Sequence, residues 1–203
     1  MFSLPPFDFC LPISNKGGFF RREARCREKE ENLEDRPQGS LALPKLQGYR
    51  CFGCGTANPM GLNMDFYCYR EAVFSDLELG RNHVGWESLA HGGVVSAVLD
   101  EIMGWAVIVF RRKFFVTRSM EVRYLRPVSV EAPLRAKGEI QEEGSRGCKV
   151  AGALLDEGGD LLASATGEMV YLSPKRLDRL PRGMRDEMTE LFSRMEALLG
   201  PAG

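Results

Sequence analysis

The run HGGVVSAVLDEIMGWAVIVF, His91 to Phe110, limits what this chain can fold into more than any other stretch. It reads as one long helix, yet it opens on two glycines and carries the acidic pair Asp100–Glu101 among apolar residues. Glycine inside a helix costs about 1 kcal/mol relative to alanine. Burial disfavours the charged form of a carboxylate. A helix apolar on nearly every side has to be enclosed by something that covers several of its faces.

The rest of the chain supplies that cover. From Leu62 the hydrophobic period becomes two: in LNMDFYCY, Leu62, Met64, Phe66 and Cys68 alternate with polar and aromatic partners. AVFSDLEL follows, and after the helix come TRSMEVRYLRP, PLRAKGEIQEE, RGCKVAGALLDE and GDLLASATGEMVYL, with EEGSRG and DEGGD as turns. Short connections between such runs imply an antiparallel sheet. The expected fold class is α+β, an antiparallel sheet of five or six strands wrapped around one long central helix.

Three segments are expected. Residues 1–45 combine an irregular start with the charge run RREARCREKEENLEDRPQGS, and read as a disordered extension or as sequence ahead of the true start. Residues 46–174 hold the domain. Residues 175–203 contain PRGMRDEMTELFSRMEALL, whose Met184, Met188, Leu191, Phe192, Met195, Leu198 and Leu199 fall at helical spacing, an amphipathic helix that packs on the domain or on a neighbouring subunit. A net charge of −1 gives no reason to expect nucleic acid. The apolar stretches are broken by Asp100–Glu101 and Arg111–Lys113, so no membrane partner is expected. The six cysteines are scattered, a pattern that suits reduced thiols and a cytoplasmic location.

On the helical wheel Gly93, Ser96, Asp100 and Gly104 share one stripe, small, polar and acidic. Small residues there let a ligand approach, and the free N–H groups of a helix start attract negative charge. Gly92 and Gly93 therefore suit an oxyanion donor, and Asp100 suits a general base or nucleophile. Gly93 and Asp100 are seven positions apart, about 10 Å along a helix. One reacting carbonyl cannot touch both, so a shared site requires a second copy whose helix runs antiparallel across a two-fold axis.

HVGWESLAHGGVVSAVLDE, with CFGCGTANPMGL before it and VTRSMEVRYLRPV after it, resembles the hotdog-fold acyl-CoA thioesterases of the phenylacetate-pathway and 4-hydroxybenzoyl-CoA type. The similarity runs from about Tyr49 to Leu172. The resemblance implies an enzyme that hydrolyses acyl-CoA to free acid and CoA, as a homodimer or homotetramer with sites between subunits. It implies no cofactor beyond the CoA of the substrate. It makes Gly93 the backbone donor and Asp100 the catalytic carboxylate, with His91 and Thr117 assisting. His83 matches an upstream histidine, and Gly92, Ser96 and Arg126 are assigned to substrate binding. One departure is GWESL between the two histidines, where many relatives have G-x-P-G.

Other residues read more plainly. Glu101 lies one position round the helix from Asp100 and is expected to be an ion-pair partner. Cys51 and Cys54 have zinc-ligand spacing, but no second CxxC or histidine pair follows, so no metal is expected. GxSxG is absent, which removes the nucleophile-elbow hydrolases. A hydratase or dehydratase and a non-catalytic acyl-CoA sensor remain as alternatives. The first needs histidine and acid aimed at one carbon, and the second normally carries a DNA-binding appendage.

Overall fold

The computed structural model describes residues 36–201. Residues 1–35, most of the expected extension, lie outside the described residues.

The central helix α1 spans Gly92–Arg111, with His91 as its N-cap. Its length and hydropathy would also suit a membrane span. Here they match the interior of a curled sheet: Val95, Val98, Leu99, Ile102, Met103, Trp105, Ala106, Val107 and Val109 are all buried. Strands β1 (Leu41–Ala42), β2 (Tyr67–Tyr69), β3 (Ala72–Glu78), β6 (Phe115–Tyr124), β7 (Pro133–Gly144), β8 (Gly147–Asp156) and β9 (Leu161–Tyr171) form one sheet. Its order is β1-β2-β3-β7-β8-β9-β6, every pairing antiparallel. The helix reaches the sheet closely because Gly138 of β7 faces it; a Cβ there would stand 2.4 Å from the Ile102 carbonyl oxygen. Two short strands, β4 (Val84–Trp86) and β5 (Leu89–Ala90), make a separate hairpin of the GWESL segment. It holds Trp86 in solvent, 78% exposed.

The sheet has seven strands. The one not foreseen is β1, and it corrects the expected boundary at residue 45. Leu41 and Ala42 pair with Cys68 and Tyr67, Leu43 is buried, and Arg36 bonds Asp76 at 3.5 Å. Lys45 is buried as well, its Nζ reaching the Met64 carbonyl at 2.9 Å and Asp65 at 2.9 Å. Residues 36–45 thus form the edge of the sheet. A two-residue strand leaves no periodicity to read, which is why the sequence hides it.

After β9, α2 (Pro174–Leu177) leads into α3 (Arg182–Leu199). The latter packs on its own domain: Leu191 and Met195 are buried, and Phe192 meets Phe114 edge to face at 5.4 Å. Arg194 donates to the Lys45 carbonyl at 3.4 Å, so the last helix and the first strand close the same side.

Candidate active site

Asp100 projects from α1 toward β6 and lines a cavity. Its Oδ1 accepts a hydrogen bond from the Thr117 hydroxyl at 2.8 Å. The β6–β9 register shifts between Thr117 and Ser119. An irregularity of that kind redirects a side chain locally, here the one that reaches across to the helix. The structure therefore brings together the two residues assigned to catalysis from different elements.

The start of α1 is arranged less openly than expected. His91 Nδ1 accepts the Gly93 N–H at 2.9 Å, a side-chain cap on one of the helix's orphan donors. The donor assigned to the substrate is therefore held by His91, while the Gly92 N–H has no acceptor among the described residues. The Tyr124 hydroxyl, which sequence reasoning missed, donates to the Gly92 carbonyl at 2.9 Å and lies 2.6 Å from Ser96 Oγ. Ser96 and Gly92 are tied to the end of β6 by one phenol. Nothing in the sequence pairs position 124 with positions 92 and 96; only the antiparallel pass of β6 beside the helix does.

His83 lies in a short 3-10 turn, where its Nδ1 accepts the Gly80 N–H at 3.1 Å. Its carbonyl receives the His91 N–H at 2.8 Å, so the two histidines are neighbours through the backbone. Neither lines the cavity that contains Asp100. Arg126 is ion-paired with Asp160.

That cavity, of about 200 Å³, lies between α1, the CFGC turn and α3. Asp100 and Thr117 stand on one side of it; Ile108, Phe115, Met188 and Leu191 make it apolar. Cys51, Cys54 and Glu101 line it too. The expectation for Glu101 fails here. No ion pair involves it among the described residues; its Oε1 accepts the Trp105 indole N–H at 3.0 Å and its Oε2 lies 3.6 Å from Cys51 Sγ. Burial pushes the Glu101 carboxyl up to about 7, and charge on Cys51 adds to the rise. Donation from the Cys54 thiol holds Cys51 below the usual thiol range, and the same bond with burial holds Cys54 above it.

Residues 88–163 match the family model described as the thioesterase superfamily. The chain has the hotdog fold, and its middle segment is similar to the thioesterase superfamily. Similar solved structures include a thioesterase superfamily protein at 24% identity, TM-score 0.53, aligned over 56% of each chain. A phenylacetic acid degradation-related protein from Ralstonia eutropha JMP134 aligns at 22% identity over 54% of this chain and 85% of its own, TM-score 0.50. A Streptococcus mutans UA159 protein bound to acetyl CoA aligns at 21% identity over 55% of this chain and 90% of its own, TM-score 0.51. The hotdog domain thus shares its fold with these proteins. No curated protein matches the chain.

Proposed function

We propose that this hotdog protein is a cytoplasmic acyl-CoA thioesterase whose active site is shared between two copies of the chain. The observation that carries the reading is the Asp100 carboxylate, held by Thr117 at 2.8 Å beside an apolar cavity. A carboxylate so placed can activate water against a thioester carbonyl or attack it directly. The acetyl CoA on the Streptococcus mutans protein supports acyl-CoA as the ligand class. The cavity is smaller than the roughly 300–1,000 Å³ of drug-sized pockets, which favours a short or single-ring acyl group. Arg126 is the proposed contact for the CoA phosphates; its pairing with Asp160 is solvent-exposed, and such pairs are weak enough to be exchanged.

The oxyanion donors come from the first turn of the second copy's α1. Gly92 N–H is open there, and Gly93 N–H is released when the His91 ring swings aside. The exposed His91 side chain thereby keeps the donor satisfied until a carbonyl arrives. Both histidine side chains are engaged by backbone N–H groups away from the Asp100 cavity.

The test is steady-state release of CoA from a panel of short, aromatic and long acyl-CoAs. Asp100→Asn should lose at least about 100-fold in kcat while the fold and acyl-CoA binding survive. No hydrolysis of any panel member by the wild type, or a nearly normal Asp100→Asn, would overturn the reading.

A further inference from the structure

The hydrolytic reading leaves the CFGC turn and Glu101 unused. Cys51 Sγ, Cys54 Sγ and a carboxylate oxygen of Glu101 lie within 4.8 Å of one another. We propose that these three side chains bind a thiophilic divalent cation of the zinc class, with a fourth position open to the cavity.

The geometry fits such an ion. Tetrahedral zinc with bonds of about 2.3 Å to sulfur and 2.0–2.2 Å to oxygen has S···O edges of about 3.5 Å. Cys51 Sγ and Glu101 Oε2 are 3.6 Å apart. The backbone is shaped for this convergence. A Cβ on Gly53 would stand 2.3 Å from Glu101 Oε2, and one on Gly55 would stand 2.5 Å from the Cys51 nitrogen. Only glycine at both positions lets the turn close around the carboxylate. The Gly55 N–H bonds the Cys51 carbonyl at 3.1 Å, which closes the turn.

Two further observations point to a cation. Three groups that can each carry negative charge meet here, and no ion pair among the described residues reaches Glu101. The Trp105 indole holds Oε1, which turns Oε2 toward the thiols, the way an outer partner orients a ligating carboxylate. All three side chains line the cavity, so the remaining position is reachable by water or a small ligand. Three protein ligands with one position free is the pattern of a reactive rather than a purely structural zinc site. The sequence argument against a metal looked for a second ligand pair along the chain. The third ligand is a single acid fifty positions away, brought in by the central helix.

The inference does not rest on the hydrolytic reading, and its test is independent of activity. The full chain, kept reduced and stripped with a chelator, is titrated with Zn²⁺ and with Co²⁺. About one ion per chain is expected, with thiolate-to-cobalt charge-transfer absorption and a change in Trp105 emission measured in a Trp86→Phe background. Cys51→Ser, Cys54→Ser and Glu101→Gln should each weaken binding by at least about tenfold. Trp105→Phe should weaken it about tenfold through the carboxylate's orientation alone. Reduced wild-type protein that takes up neither ion would overturn the proposal. So would binding that Glu101→Gln leaves unchanged, or a Cys51–Cys54 pair that cycles through a disulfide while the dithiol form binds no ion.

Discussion

Asp100 and Glu101 are adjacent in sequence and diverge completely in space. Asp100 turns to Thr117 on β6, and Glu101 turns to Trp105 and Cys51. The helical stripe singles out Asp100, which meets Thr117 beside the cavity, although Gly104 of the same stripe is buried against Phe115. It could not place Glu101, whose partners are set by where the CFGC turn crosses the helix. The Thr117 bond gives a graded test. A hydrogen bond to a charged group is worth about 1.5–3 kcal/mol, so Thr117→Val should slow turnover about tenfold or somewhat more. The loss should fall on kcat rather than KM and stay smaller than that of Asp100→Asn. Equal losses in both variants would mean that Thr117 acts on the substrate itself.

Among the elements, the long helix and the six longer strands announce themselves through periodicity, because each must present one apolar face or stripe to a common core. The first residues of the described chain do not. β1 is too short to show a pattern, and it is held by backbone pairing, Leu43 and the Lys45 bonds. A chain starting at Pro44 should therefore melt several degrees below one starting at Arg36, a difference on the order of 2 kcal/mol. Equal melting curves would show that β1 adds nothing. The closing helix α3 was legible as amphipathic, but its role as a cavity wall was not. Met188 lines the cavity beside Ile108 and Phe115. Met188→Ala should enlarge that space and shift the kcat/KM ratio toward longer or bulkier acyl groups by roughly tenfold, within the range that a few methylenes supply. Kinetics on paired short and long acyl-CoAs would measure it, and an unchanged ratio would place the acyl group elsewhere.

At the scale of the whole molecule, the protomer is incomplete for the chemistry proposed. Asp100 lines the cavity and Gly93 does not; along α1 they stand about 10 Å apart. β6 ends the sheet with one edge unpaired, and Val116, Tyr124 and neighbouring Leu125 are 46%, 55% and 52% exposed. A long open edge of that kind invites a second chain. A two-fold axis along it would set two copies of α1 antiparallel. Asp100 of one copy would then meet the helix start of the other. Complementation tests this directly. Gly93→Pro removes the donor at the second helical position, where the first turn tolerates proline. Alone, Gly93→Pro and Asp100→Asn should each be nearly inactive. Co-expressed in equal amounts, half the dimers are mixed, and each mixed dimer holds one intact site and one doubly altered site. The mixture should recover about one quarter of wild-type turnover by the two-fold symmetry of the assembly. Mixed dimers that form, as shown by differential tags, yet recover no activity would place both groups in sites belonging to a single copy.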